Sequence, residues 1–154
     1  MSEQNALQQT IQLDLPASLQ YLNVLGACLE AVLTRVPHVQ ELEITSYHLQ
    51  LAVQEICANM VLHAYACEPE QGRIEVVIAL SPHNDCLTIN LVDTGQPFDE
   101  ESVKEPSLEE GQIHGYGLFL VRNLMDSVDY QRQGGRNCWS LKKYLLPSEA
   151  TDLG

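Results

Sequence analysis

EICANMVLHAY, residues 55–65, is the second half of an apolar-periodic run that starts near Ser46. At about 100° per residue, Glu55, Asn59 and His63 advance only about 40° per four-residue step, so three polar groups share one stripe of a helix. Leu49, Val53, Ile56 and Met60 recur beside it at helical spacing and are expected to bury the adjoining face. One side of this helix packs; the other carries polar groups that must face something polar. A Glu and an Asn four apart describe an ordinary solvated face unless residues elsewhere give them a task.

Upstream, TIQLDLP from Thr10 alternates apolar and polar residues as a short strand that Pro16 ends. From Ala17 to Arg35 the spacing of Leu19, Leu22, Val24, Leu25, Leu29, Val32 and Leu33 predicts a helix stopped by Pro37, and PHVQELEITS reads as a connector to the central helix over residues 47–66. Downstream, EPEQG from Glu68 is loop-like. RIEVVIAL from Arg73 and CLTINLVD from Cys86 each alternate, and SPHND between them supplies turn chemistry for a hairpin. The second strand runs into DTGQPFDEESVKEPSLEEGQIHGYG, a Gly, Pro and carboxylate stretch whose length inside a compact domain points to a functional or mobile loop. Residues 118–125 resume helical spacing, and VDYQRQGGRNCWSLKKYL from Val128 reads as two strands about a Gly134, Gly135 turn.

Helices gathered before and between hairpins predict an α+β two-layer sandwich with a mixed sheet and about three helices on one face. With 154 residues, one domain over residues 9–147 is expected, flanked by flexible tails at 1–8 and 148–154. The net charge of −13 and only eight Lys and Arg argue against direct nucleic-acid binding, which needs clustered cations. The five cysteines are odd in number, widely spaced and free of CxxC pairs, so neither a disulfide framework nor a zinc site is indicated. No apolar run approaches about 18 residues and no secretory leader is visible, so no membrane association and a cytoplasmic location are expected.

Neither GxxxxGK[ST] nor GxGxxG after a strand is present. Asp93 instead ends a strand and is followed by Thr94 and Gly95, so its carboxylate can accept a hydrogen bond at a pocket mouth where glycine admits a planar ligand. Gly115 and Gly117 precede the helix that begins at Leu118, where free amides and the helix dipole favour phosphate. Taken in order, these pieces resemble the GHKL (histidine-kinase-like) nucleotide-binding domain shared by gyrase, the Hsp90 chaperone, the mismatch-repair protein MutL and sensor histidine kinases. The first box is Glu55-x-x-x-Asn59-x-x-x-His63-Ala64-Tyr65, the second Asp93-Thr94-Gly95-Gln96-Pro97-Phe98-Asp99, and the third Gly115-Tyr116-Gly117-Leu118-Phe119-Leu120. The HAY ending, the PFD and the loop before the third box look most like anti-sigma-factor serine/threonine protein kinases of the RsbW type. The resemblance covers about residues 10–146.

The resemblance implies ATP and Mg²⁺ as ligands and assigns roles. Asn59 would hold the Mg²⁺ that bridges the phosphates, and Glu55 would act as general base toward a substrate hydroxyl. Asp93 would accept from the adenine amino group with Thr94 and Gly95 beside it, while Gly115, Tyr116, Gly117 and Leu118 would hold phosphates through their amides. His63 either contacts phosphate or ties the helix to the loop. Leu62 stands where many wider relatives place a basic residue, so Mg²⁺ and amides would carry charge neutralisation. Two activities fit. One is an ATP-dependent serine/threonine kinase that phosphorylates an antagonist protein and regulates transcription by partner switching. The other is a catalytically weak, nucleotide-dependent interaction module of the same fold. A sigma factor as further partner and a homodimer are implied by the resemblance alone.

Overall fold

The computed structural model describes residues 9–65, 72–98 and 117–146. Both expected tails, most of the EPEQG loop and most of the acidic stretch, including Gly115 and Tyr116, lie outside the described residues. In chain order the elements are β1 (Gln9–Pro16), a 3-10 turn (Leu19–Tyr21), α1 (Leu22–Thr34), α2 (Leu42–Asn59) continued by a π-helical turn (Met60–Ala64), β2 (Arg73–Leu80), β3 (Cys86–Asp93), α3 (Gly117–Leu124), β4 (Ser127–Gln133) and β5 (Arg136–Tyr144).

The strands form one sheet in the order β1-β2-β3-β5-β4. Every neighbouring pair is antiparallel, which corrects the expected mixed sheet. β1 and β3 do run in the same direction, but β2 lies between them; β3 and β4 likewise share a direction, and β5 is inserted between those two. The pairing order, and not the strand directions, removes the parallel contacts.

Alternation sorts the sheet into two faces. Ile74, Val76, Ile78 and Leu80 of β2, Leu87, Ile89 and Leu91 of β3, and Trp139 and Leu141 of β5 are buried. Register lines them up across strands, with Leu91 opposite Val76 on one side and Trp139 on the other. They join Leu25, Leu29, Leu33, Leu49 and Ile56 of the helices in one core cluster. Each fully buried Leu or Ile contributes about 1.5–3 kcal/mol relative to exposure, so the helix layer is held to this face by many such terms. The same parity carries Asp93, two residues beyond Leu91, onto the core face.

α2 begins at Leu42, five residues before the expected Tyr47, so the second half of the PHVQELEITS connector is helix. Glu41, at its N-cap, has a left-handed backbone (φ 48°) and makes no side-chain cap bond. The Thr45 hydroxyl donates to the Gln40 carbonyl at 3.0 Å instead. The β4–β5 turn is the expected one: Gly134 and Gly135 adopt φ of 57° and 76°, the pair of positive values that a two-residue hairpin turn requires. Among the described residues no helix is long and apolar enough to cross a membrane.

Candidate functional site

α2 is the element against which the three boxes meet. Glu55 and Asn59, one turn apart near its C-terminal end, are each half-buried. An added Cβ on Gly117, where α3 starts, would lie 2.6 Å from Glu55 Oε2, so the Glu55 carboxylate rests against that glycine. This joins the first and third boxes. Leu118 is 3% exposed and its side chain is core. Gly115 and Tyr116 fall outside the described residues.

The second box is tied to the end of the first. Past Asn59 the chain widens into the π turn, closed by the Tyr65 amide donating to the Met60 carbonyl at 3.1 Å. Such turns interrupt regular helix spacing and recur at functional sites. His63 sits on this turn and is exposed, as is Leu62 at 56%. The Gln96 amide donates to the Ala64 carbonyl at 2.8 Å, and the Thr94 amide donates to the Tyr65 hydroxyl at 2.9 Å. That hydroxyl in turn donates to the Arg73 carbonyl at 2.7 Å, so Tyr65 links the turn to β2 as well as to the second box. An added Cβ on Gly95 would meet the Ala64 carbonyl oxygen at 2.3 Å, which leaves room there for no other residue.

Asp93 is 2% exposed. Its Oδ1 accepts from the Gly95 amide at 2.8 Å and from Asn137 Nδ2 at 2.7 Å, its cross-strand neighbour on β5. In the sequence Asn137 is one polar residue in a strand; its register opposite a buried carboxylate is the only signal, and that needs the pairing order. Arg132 on β4 donates to the Gly95 carbonyl at 2.8 Å, and Tyr130 on β4 accepts from the Phe98 amide at 3.0 Å. Phe98 packs edge-on against Tyr130 and Trp139, with ring centroids 5.5 and 5.0 Å away.

Burial pushes the Asp93 carboxyl above its ordinary range, opposed by the Asn137 and Gly95 bonds and the Arg132 charge. Cys57, on α2, lies near enough to feel that carboxylate. Its thiol is pushed up to about 12, mainly by burial and then by Asp93, so it packs as a small apolar group. A cavity of about 60 Å³ opens between α1 and α2, lined by Asn23, Gly26, Gln50, Gln54 and Cys57 among others. By helical spacing it lies on the opposite side of α2 from Glu55 and Asn59. It is far below the roughly 300 Å³ or more of a nucleotide-sized pocket.

Among the described residues no three His, Cys, Asp or Glu side chains cluster as a metal site. The donor set suits a Mg²⁺ held mainly by phosphate oxygens and water, with one amide oxygen from the protein, which is how this ion is commonly bound.

A family model described as histidine kinase-like ATPase domain matches residues 15–143. Similar proteins include the serine-protein kinase RsbW of Bacillus pumilus, 34% identical over 137 residues, covering 81% of this chain and 80% of that protein. The RsbW of Oceanobacillus iheyensis is 32% identical over 147 residues, covering 90% and 89%, and that of Bacillus subtilis is 32% identical over 143 residues, covering 88% and 85%. The crystal structure of the RsbU and RsbW domains of Rv1364c from Mycobacterium tuberculosis matches with a TM-score of 0.64 at 18% identity, covering 91% of this chain and 34% of that one. That likeness concerns the fold, and this chain spans about a third of that polypeptide.

Proposed function

Since the chain belongs to the histidine kinase-like ATPase domain family, we propose that it is an ATP-dependent protein serine/threonine kinase of the anti-sigma-factor type, acting on a hydroxyl of an antagonist protein. The observation that carries this reading is the contact between Glu55 and Gly117, which sets a carboxylate base beside the helix start where phosphates would be held. Asp93 would accept a hydrogen bond from the adenine amino group at the far end of the site, beside Thr94 and Gly95. Asn59 would hold Mg²⁺ through its amide oxygen, and the ion, when bound, would neutralise phosphate charge. Glu55 takes the proton as the substrate hydroxyl oxygen bonds to the γ-phosphorus and the bond to the β-phosphate oxygen breaks, leaving ADP. Gly117 and the amides after it orient the phosphates. Switching of a sigma factor between partners, and a homodimer, rest on the family likeness.

Leu62 favours a second reading. It is 56% exposed on the turn that follows Asn59 and brings no cation to the phosphates, which suits a module that binds nucleotide and changes partners without useful turnover. Labelled ATP, Mg²⁺ and a candidate antagonist protein separate the two. Transfer of label that disappears in Glu55→Gln while ATP binding persists supports the kinase. Transfer that survives Glu55→Gln removes Glu55 as the base, and no transfer with intact ATP binding and intact partner regulation leaves the switch.

A further inference from the structure

Asn137 is 1% exposed, and its amide is used to capacity. Nδ2 donates one hydrogen to Asp93 Oδ1 at 2.7 Å and the other to the Gln96 carbonyl at 2.8 Å. Oδ1 accepts from the Tyr130 hydroxyl at 2.5 Å and from Arg132 Nη1 at 3.0 Å. The flipped amide is excluded, because a flip would set donor against donor at Arg132 and acceptors against acceptors at Asp93 and Gln96. The direction of the Asp93 bond is therefore fixed from β4, through Asn137, into the second box.

The consequence falls on Asp93. The Asn137 and Gly95 bonds both land on Oδ1, and Oδ2 takes no donor from the described residues. A carboxylate pinned by one oxygen in a fixed plane presents the other at a fixed angle. We propose that Asn137 is the positioning residue of the base-recognition site: locked by Tyr130 and Arg132, it holds Asp93 Oδ1 inward so that Oδ2 alone meets the exocyclic amine of an adenine. It also fastens the Gln96 carbonyl, so one side chain sets the carboxylate and the loop that forms the edge of the same site. This rests on the reading of Asp93 as the adenine acceptor.

A purely structural Asn137 would affect folding; a positioning one also affects how Asp93 titrates. The groups facing Asp93 are Cys57 from α2, Arg132 from β4, and Asn137 and the Gly95 amide. Of these Cys57 stays neutral, so loss of the Asn137 bond leaves burial less opposed and moves the acid limit of ATP binding toward neutral pH.

The test is ATP affinity of the full chain across pH 4.5 to 8 for wild type, Asn137→Leu, Tyr130→Phe and Asp93→Asn, each checked for a cooperative melt without nucleotide. Asn137→Leu is expected to weaken ATP about tenfold or more at neutral pH, as loss of a charge-assisted hydrogen bond does, and to raise the acid midpoint of binding by about one pH unit. Tyr130→Phe keeps the ring packed against Phe98 and Trp139 and removes only the hydroxyl, so it should shift the midpoint in the same direction by less. If Asn137→Leu does not fold, Tyr130→Phe decides. An unchanged midpoint in a folded variant, with Asp93→Asn abolishing binding, overturns the role of Asn137 alone. Wild-type affinity in Asp93→Asn overturns the adenine assignment itself.

Discussion

Gly95 and Gly117 are both closed to a side chain, but by different obstacles. At Gly95 the obstacle is the Ala64 backbone carbonyl, 2.3 Å from an added Cβ, and main chain at the end of a helical turn cannot step aside. Gly95→Ala is expected to lower stability by about 1–3 kcal/mol, as overpacking does, and to lose ATP binding with it. At Gly117 the obstacle is the end of the Glu55 side chain, which can swing away. Gly117→Ala should therefore melt near wild type yet transfer phosphate poorly, because Glu55, the proposed base, has been moved; denaturant midpoints and label transfer on both variants check the contrast. Asp93 adds a pH dependence whose two parts have opposite sign. Its folded carboxyl binds a proton at higher pH than the unfolded chain, so the stability it contributes is present below the ordinary value of 3.8 and is lost as pH rises through the raised one. On the proposed reading adenine binding needs the carboxylate, so affinity should fall as pH drops through that same window. Comparing wild type with Asp93→Asn by thermal melts and ATP titration over the acid range separates the two slopes.

The β4–β5 hairpin brings Tyr130, Arg132 and Asn137 to the site from strands that touch no part of the Glu55 helix in sequence. Its turn offers a clean measurement. Gly135 has φ of 76° and nothing within 4 Å of an added Cβ, so Gly135→Ala meets no clash. The expected loss is about 1 kcal/mol from backbone strain alone, less the small gain from a stiffer unfolded chain, read as a shift in urea midpoint at constant slope. This turn was legible in the sequence because Gly-Gly between alternating runs has one common backbone solution. The strands were legible for a similar reason: 74, 76, 78, 80 and 87, 89, 91 repeat with period two against a single buried face, and Asp93 continues that parity. The start of α2 was not, because Glu41 at its N-cap is in the left-handed region and offers none of the usual capping side chains. Strand order was not either, since alternation says which face a residue takes and nothing about its neighbour. Asn137 stayed hidden for that reason, and the Glu55–Gly117 contact was legible only as a family resemblance.

Taken together, the chain is a strongly acidic sandwich with one face of its sheet under helices and the other carrying cross-strand ion pairs. Arg73 meets Asp14 at 2.8 Å and Arg136 meets Glu75 at 2.7 Å, all four side chains about half exposed. Exposed pairs of this kind contribute roughly 0–1 kcal/mol each and are screened by salt. Against them stands self-repulsion from a net charge of −13, which salt also screens. With two such pairs among the described residues against a net charge of −13, repulsion is expected to outweigh them, so the melting temperature should rise between about 10 and about 150 mM sodium chloride, where the Debye length shrinks from roughly 30 to 8 Å. A fall would mean that the surface pairs dominate.

Convergence of three separated stretches on one nucleotide is read directly by amide NMR of the ¹⁵N-labelled full chain titrated with Mg-ATP. The side-chain amide of Asn59 and the backbone amides of Thr94, Gly95 and Gly117 are expected to shift together with a single saturation curve. Shifts confined to Gly26, Gln50 and Gln54 around the α1–α2 cavity, or none at saturating nucleotide, would contradict it.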